Sequence, residues 1–215
     1  RNMKTRKIRT ALYNVLPGEK AHALMAPRPK YIEGIEGVHP CPPVNSAILA
    51  LIVPFENELA LPLIKRVNRG KYHGGQIAFP GGKMEKEDAD ALQTALRECH
   101  EEIGVPEEKV SILGVLSDIY IPLSNFNITP IVGTTLQLPD FILSQDEVEK
   151  VILVKLRDLF DDRNKTTHSF VRHDHKIIAP GYKIGENFIW GATAMIIAEL
   201  EQLMKTNTFN HLGKL

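Results

Sequence analysis

The chain has 215 residues, 43% hydrophobic and 24% charged, which are ordinary proportions for a globular protein and enough for one well-buried domain. Basic and acidic residues both number 26, so the net charge gives no reason to expect binding to nucleic acid or a membrane. Two cysteines, Cys41 and Cys99, argue against a disulfide framework and favour a reducing, cytoplasmic location, and no apolar run reaches the roughly 18 residues of a membrane span.

The first third of the chain predicts two short helices followed by a strand hairpin. The helices and the loop after them are predicted at residues 4–14, 19–25 and 31–43. Residues 45–54 form a continuous apolar run bounded by prolines, which is typical of a strand buried on both faces. Residues 59–65 are predicted to return as the second strand, after a turn at residues 56–58.

The rest of the chain alternates strands with helices. Strands are predicted at residues 110–120, 127–136, 150–154, 176–178 and 188–190, and helices before Gly104, at residues 156–160 and at residues 191–204. The acidic residues 146–149 and the polar residues 163–175 are predicted as loops, and Trp190 as a core residue under the last helix. Strands flanking two substantial helices indicate a mixed sheet between helical layers.

Three glutamates share one side of the helix that ends before Gly104. Glu98, Glu101 and Glu102 cover an arc of about 100°, and the same helix has a narrow apolar stripe that must face a core. Like charges at this spacing destabilise a helix unless something neutralises them. A divalent cation would do so, and the plain alternative is a solvated acidic face.

The stretch from Gly82 to Val105 resembles the Nudix box, G-x5-E-x7-R-E-U-x-E-E-x-G-U, where U is a bulky apolar residue. Residues 97–105, RECHEEIGV, match its second half, with Cys99 at a U position. The first half departs by one residue, because the sixth position after Gly82 is Asp88 and Arg97 lies nine positions after it instead of eight. A loop insertion would absorb that difference, and Asp88 is also a suitable N-cap.

The Nudix resemblance implies an α/β (α+β) fold, an α-β-α sandwich with a mixed β-sheet, spanning 1–215 as one domain with an N-terminal helical extension at about 1–43. It implies a Mg²⁺ or Mn²⁺ site with Glu98 and Glu102 as principal ligands. Two further site members are implied, Glu101 as an auxiliary ligand and Gly82 as the neighbouring carbonyl. Hard cations of this kind prefer carboxylate and carbonyl oxygens.

The resemblance also implies catalytic roles for Arg97 and an acidic base. Arg97 matches the arginine that pairs with a box glutamate and orients it, which makes Arg97, Glu98 and Glu101 predicted catalytic residues. The family's general base is in some members a box glutamate and in others an acid on a later loop. We predict Glu147, with Glu149 behind it, and the alternative is an exposed loop acid.

The segment before the box resembles the one that marks coenzyme A pyrophosphatases within this superfamily, L-L-T-x-R-(S/A)-x3-R-x3-G-x3-F-P-G-G. The half G-x3-F-P-G-G is intact from Gly75, while Ile64, Val67 and Lys71 depart from the first half. A local basic cluster fits the three phosphates of coenzyme A. The predicted substrate-binding residues are Arg66, Arg69, Lys71, His73 and Phe79.

We therefore expect a metal-dependent pyrophosphohydrolase that cleaves coenzyme A or acyl-coenzyme A to 3′,5′-ADP and 4′-phosphopantetheine or its acyl form. One alternative is a Nudix enzyme for another nucleoside diphosphate derivative, such as ADP-ribose, a dinucleotide or a nucleoside triphosphate. A second alternative is a catalytically silent Nudix-like binding module. The expected partner is a small nucleotide-like molecule, without nucleic acid or membrane, and a homodimer is left open.

Overall fold

The computed structural model describes residues 3–28, 41–68, 75–172 and 175–206, except for the side chains of Met3, Lys4, Arg172 and His175. The helices are α1 (Met3–Leu12), α2 (Glu19–His22), α3 (Ala91–Ile103), α4 (Leu156–Leu159) and α5 (Ala192–Thr206). The strands are β1 (Val44–Phe55), β2 (Glu58–Arg66), β3 (Ile77–Ala78), β4 (Gly81–Lys83), β5 (Ser111–Val115), β6 (Ile119–Ile121), β7 (Phe126–Thr134), β8 (Val148–Lys155), β9 (Lys165–Arg172), β10 (His175–Ile184) and β11 (Asn187–Trp190).

The described strands form two sheets. The larger has eight strands with a central path β3-β2-β1-β7-β5, while β4 pairs with β1, β6 with β7 and β8 with β2. Strands β1 and β7 run parallel and the other described pairs of this sheet are antiparallel, so the sheet is mixed. The smaller sheet, β11-β10-β9, is antiparallel.

Strand β1 is buried on both faces, as its continuous apolar run predicts. Because side chains alternate along a strand, Leu49 and Leu51 pack with α3, whereas Ala50 and Ile52 pack with α1 and α5. The sheet therefore lies between helices, which confirms the predicted α-β-α sandwich with a mixed sheet.

The hairpin from β1 to β2 is confirmed, and its turn has the backbone twist that a two-residue connection requires. Phe55 pairs with Glu58, and the two residues between them, Glu56 and Asn57, have φ values of 48° and 63°. Positive φ at both positions is the geometry that matches the twist of the flanking strands.

Two segments that were predicted as loops from their polar residues form strands. Residues 163–175 mostly form β9 and the start of β10 instead of a loop, with the His168 ring stacked on Phe188 at a centroid distance of 3.8 Å. Glu149 lies inside β8 instead of the loop before it. Strand β9 lies at the edge of the smaller sheet without a buried side chain among those described, and β8 pairs with β2 alone among the described strands. Polar composition therefore does not prevent strand formation in either segment.

Two predictions made from apolar residues, one of a strand and one of a core residue, also need correction. The strand predicted at residues 110–120 is divided into β5 and β6 by residues 116–118. Trp190 is only partly buried and packs edge-to-face on Phe170, at 4.9 Å between ring centroids. Its neighbour Ile189 fills the core position, since adjacent strand residues face opposite sides. Among the described residues, no helix has both the length and the apolar character needed to cross a bilayer.

A buried carboxylate ties the N-terminal segment to the body of the protein. Glu199, on α5, accepts hydrogen bonds from Ser117 Oγ at 2.6 Å, from His22 Nε2 at 2.8 Å and from the Gly18 amide at 3.0 Å. Burial alone would raise the pKa of Glu199, but the hydrogen bonds from His22 and Ser117 outweigh it and hold this pKa below its ordinary value. The network therefore needs the ionised carboxylate.

Substituting this carboxylate should destabilise the protein. Glu199→Gln places an amide NH₂ among donors, so we expect the free energy of unfolding at neutral pH to fall by about 2–4 kcal/mol. Urea denaturation followed by circular dichroism measures the change. The exposed Glu186 serves as a control, because its change to Gln should alter stability by less than about 0.5 kcal/mol. Equal effects of the two substitutions would contradict the structural role of Glu199.

Candidate active site

Helix α3 carries the acidic arc and is fixed at both ends. Its N-cap is Asp90, whose side chain accepts a hydrogen bond from the Gln93 amide, so the N-cap role predicted for Asp88 is wrong. At the other end Gly104 adopts a left-handed conformation with φ of 72°, against Ile142. A Cβ at Gly104 would lie 2.7 Å from the Cβ of Ile142, so glycine is required there.

Arg97 gathers the acidic residues at the base of the site. Its Nε and Nη2 atoms donate to the two carboxylate oxygens of Asp88, both at 2.9 Å. Its Nη1 donates to Glu98 and Glu101, both at 3.1 Å, and Nη2 also donates to the Lys83 carbonyl at 3.2 Å. The pairing of Arg97 with box carboxylates, as the resemblance implied, is therefore present.

The Asp88–Arg97 pair is built as a structural ion pair. Asp88 is buried, and its Oδ2 also accepts from the Glu85 amide and from Thr94 Oγ1, each at 2.9 Å. The hydrogen bond from Arg97 is the main cause that holds the pKa of Asp88 far below its usual range. Removing one partner of such a pair costs about 3–5 kcal/mol. Arg97 therefore holds the acid that lies six positions after Gly82, where the box pattern has its first glutamate.

The backbone of Gly82 lies directly against the Glu98 carboxylate. A Cβ at Gly82 would stand 2.3 Å from Glu98 Oε1 and 2.5 Å from its Cδ, so no larger residue fits without moving the carboxylate. Burial raises the pKa of Glu98, and Arg97 opposes that rise. The close approach places a main-chain segment beside the carboxylate, which is what the predicted carbonyl neighbourhood requires.

Glu102 is fully buried, with 0% of its surface exposed. Its Oε2 accepts a hydrogen bond from the Gly81 amide at 2.9 Å, while its Oε1 lies 3.1 Å from Arg66 Nη1. That second oxygen has no hydrogen bond within the described structure, so the Arg66 contact is a charge pair without hydrogen-bond geometry. Burial raises the pKa of Glu102 to about 7, although Arg66 and the Gly81 amide both oppose the rise.

The three predicted carboxylate ligands do not form a ready-made cluster. In the described ranges, no three side chains of histidine, cysteine, aspartate or glutamate are grouped to hold a metal ion. Glu101 is turned toward Arg97 and its side chain is 58% exposed. Arginines, by pairing with these carboxylates, meet the need for positive charge that the acidic arc creates.

The residues present nevertheless fit a hard divalent cation. The buried Glu102 Oε1 has an unused lone pair, and the Glu98 carboxylate lies on the glycine segment nearby. Carboxylate and backbone carbonyl oxygens are the donors that Mg²⁺ and Mn²⁺ prefer. The roles predicted for Glu98, Glu101, Glu102 and Gly82 remain predictions that this geometry accommodates.

The predicted base lies near these carboxylates. Glu147 is exposed, and its charge contributes to the raised pKa of both Glu98 and Glu102. Its carbonyl accepts from the Val67 amide at 2.9 Å, so the base loop is joined to the end of β2. Glu149 instead pairs with Lys65 at 2.7 Å, which leaves Glu147 as the residue of the two whose charge acts on the site.

Two of the five predicted substrate-binding residues, Arg66 and Phe79, lie among the described residues. Arg66 contacts Glu102, a contact that its sequence position did not indicate. Phe79 is 2% exposed and belongs to the core, which corrects its predicted role because no surface of the ring is left to meet a substrate. Arg69, Lys71 and His73 lie outside the described residues.

An open groove lies between the end of β2 and the loop that carries Glu147. Its volume is about 580 Å³, and its lining is Val67, Ile142, Leu143, Gln145, Val148 and Glu149. That volume is in the range of small-molecule sites. The groove adjoins the hydrogen bond from the Val67 amide to the Glu147 carbonyl, so it borders the predicted catalytic loop.

Comparison with known proteins identifies the family of the chain. The family model described as NUDIX domain matches residues 45–173. A protein of Enterobacter sp. (strain 638) named "Uncharacterized Nudix hydrolase NudL" is 34% identical over 161 residues, which cover 73% of this chain and 82% of that protein. A protein of the same name from Pectobacterium atrosepticum is 35% identical over 158 residues, covering 73% and 80%.

Solved structures share the fold. The Nudix hydrolase RenU of M. smegmatis aligns with a TM-score of 0.52 and 14% identity, over 81% of this chain and 91% of that one. The MutT protein of Methanosarcina mazei Go1 aligns with a TM-score of 0.52 and 16% identity, over 79% and 98%. At these identities the likeness concerns the fold alone.

The raised pKa of Glu102 leads to a prediction about stability. A folded-state pKa of about 7, above the usual 4.5, means that the folded protein binds this proton more tightly than the unfolded chain does. The carboxylate therefore destabilises the fold above pH 7, and this effect disappears as the pH falls toward 4.5. With EDTA present, Glu102→Gln should raise the free energy of unfolding by about 1–3 kcal/mol near pH 8, and by much less near pH 5.

Urea denaturation at both pH values measures this difference. Glu108, which is exposed in the turn after α3, provides the control, and its change to Gln should shift stability by less than about 0.5 kcal/mol. A Glu102→Gln protein that is less stable than the parent at both pH values would show that Arg66 and Gly81 stabilise the ionised carboxylate in full.

Proposed function

Because the chain belongs to the NUDIX domain family, we propose that it is a pyrophosphohydrolase that cleaves the diphosphate of coenzyme A or acyl-coenzyme A. The products would be 3′,5′-ADP and 4′-phosphopantetheine or its acyl form. The observation that carries the proposal is the contact of the Glu98 and Glu102 carboxylates with the backbone of Gly81 and Gly82. Those glycines end the G-x3-F-P-G-G run that resembles coenzyme A pyrophosphatases.

We propose Mg²⁺ or Mn²⁺ as the cofactor. Glu98 and Glu102 would hold the ion, with Glu101 and the main chain at Gly82 completing its surroundings. When bound, such an ion neutralises diphosphate charge and lowers the pKa of water. The buried Glu102 Oε1 supports this assignment, because it makes no hydrogen bond within the described structure and a buried carboxylate oxygen without one is costly.

Arg97 and Glu147 would have separate roles in the hydrolysis. Arg97, which donates a hydrogen bond to Glu98, would orient that carboxylate without contacting the substrate. Glu147, exposed and close enough to influence both ligands, would take the proton from the attacking water. The water oxygen would then bond to one phosphorus as the bridging P–O bond breaks, and the second phosphate leaves with the bridging oxygen.

We further propose that 1–215 acts as a single domain with a helical extension at about 1–43. The family model begins at residue 45, after α1 and α2. Ile8 and Ala11 on α1 are nonetheless fully buried in the same core as α5. Such packing supports an extension that folds with the enzyme.

Product analysis tests the proposed activity. Purified protein with Mg²⁺ or Mn²⁺ is offered coenzyme A, acetyl-coenzyme A, ADP-ribose, NADH, diadenosine polyphosphate and dNTPs, and products are identified by chromatography. We expect 3′,5′-ADP from the first two substrates. Turnover of ADP-ribose or dNTPs alone would overturn the coenzyme A assignment, and no turnover at all would favour a binding module.

Variants of the proposed ligands complete this test. Glu98→Gln and Glu102→Gln should each lower kcat/KM by at least about 100-fold, or ~2.7 kcal/mol, while Glu108→Gln leaves it unchanged. Added Mn²⁺ should raise the Tm of the parent protein but not that of Glu102→Gln, because only a bound ligand stabilises the fold. Retained activity in Glu102→Gln would contradict the ligand assignment.

A further inference from the structure

We propose that Arg66 and a divalent cation compete for the same two oxygens, Glu102 Oε1 and the Gly81 carbonyl, and that Arg66 is an internal counter-cation of the site. The inference rests on the proposed function in one respect, that Glu102 is a metal ligand. It assigns Arg66 a role that its place in the basic leader segment does not indicate.

The Arg66 guanidinium lies beside two oxygens of the proposed metal site. Arg66 Nη1 lies 3.1 Å from Glu102 Oε1 and 3.4 Å from the Gly81 carbonyl oxygen. One carboxylate oxygen and one main-chain carbonyl oxygen are a donor set suited to a hard divalent ion. The positive group of Arg66 therefore lies at the place where such an ion would meet both oxygens.

The contact is loose. Glu102 Oε1 is buried and makes no hydrogen bond within the described structure, even though the guanidinium is close. Arg97, in contrast, donates two hydrogen bonds to Asp88, both at 2.9 Å. A buried ion pair is secure only when its hydrogen bonds are satisfied. Arg66 neutralises Glu102 by charge and leaves the oxygen open to a better-fitting cation.

The main chain of Arg66 is held while its side chain can move. Its amide donates to the Gln76 carbonyl at 3.0 Å, its carbonyl accepts from the Gly75 amide at 3.0 Å, and the next amide, of Val67, donates to Glu147. The side chain is 32% exposed, so the guanidinium can turn toward solvent without any change in β2. Withdrawal from Glu102 would leave it beside the proposed ion.

A withdrawn guanidinium would face the phosphates of the substrate. Guanidinium groups bind phosphate oxygens through charge-assisted, often bidentate, hydrogen bonds. Arg66 would therefore have two anionic partners in turn, first Glu102 and then the substrate diphosphate. Its removal should affect the two kinds of binding in opposite directions: metal binding becomes tighter and substrate binding weaker.

Manganese binding without substrate tests the competition. Free Mn²⁺ is measured by EPR in titrations of the parent protein, Arg66→Met, Arg66→Gln and Arg66→Lys at one pH and ionic strength. Both neutral variants should bind Mn²⁺ about tenfold more tightly, a change of ~1.4 kcal/mol. Arg66→Lys, which keeps the charge, should stay within about threefold of the parent protein. With metal saturating, Arg66→Met should also show a KM for coenzyme A about tenfold higher.

Two controls separate the possible failures. Arg163 is 89% exposed and pairs with Asp161, so Arg163→Met removes a guanidinium outside the proposed site and should leave the Mn²⁺ affinity within about twofold. Circular dichroism melting checks that each variant folds, and Arg66→Gln replaces Arg66→Met if the latter does not. Equal or weaker Mn²⁺ binding in the neutral variants would overturn the competition. Unchanged Mn²⁺ binding in Glu102→Gln would instead overturn the ligand assignment of the proposed function.

Discussion

The close contact between two glycines and two carboxylates is the constraint on which the site depends. The Gly81 amide donates a hydrogen bond to Glu102 at 2.9 Å. A Cβ at Gly82 would lie 2.3 Å from Glu98 Oε1, and one at Gly81 would lie 2.4 Å from the Ala47 carbonyl oxygen on β1, so neither position admits a side chain. This approach requires α3 to lie flat on β1, which its apolar stripe ensures through Cys99 and its neighbours in the core. Packing of an ordinary helix on an ordinary strand thus fixes where the acidic arc meets the backbone, and that meeting place is where the chemistry is proposed to occur.

Two arginines, Arg66 and Arg97, neutralise the negative charge of this acidic region. Arg97 is bound on several sides and belongs to the framework, since its loss would leave the buried Asp88 without a partner. Arg66 offers charge without hydrogen-bond geometry to a carboxylate that burial already disfavours in its ionised form. Functional sites commonly retain such incompletely satisfied groups at a cost in stability. The raised pKa of Glu102 is the physical sign of that cost here.

Sequence patterns predicted the frame well because burial controls it. The apolar run of β1 and the stripe of α3 both report which surfaces avoid water, and both elements formed as expected. Patterns were less informative where tertiary contacts decide. The polar composition of β9 conceals a strand that is paired along its length with β10. Asp88 and Asp90 look alike as caps, and only the position of Arg97 decides between them. The Arg66–Glu102 contact joins residues far apart in the chain, which no local spacing could indicate.

The account depends on one claim, that Glu98 and Glu102 hold a divalent ion against the glycine segment. A crystal structure of the protein grown with Mn²⁺, with anomalous data collected to locate the manganese, tests it most directly. The account predicts an anomalous peak within about 2.1–2.3 Å of oxygens from both carboxylates, and the Arg66 guanidinium withdrawn from Glu102. An ion bound elsewhere, with the Arg66 guanidinium still beside Glu102, would contradict the claim.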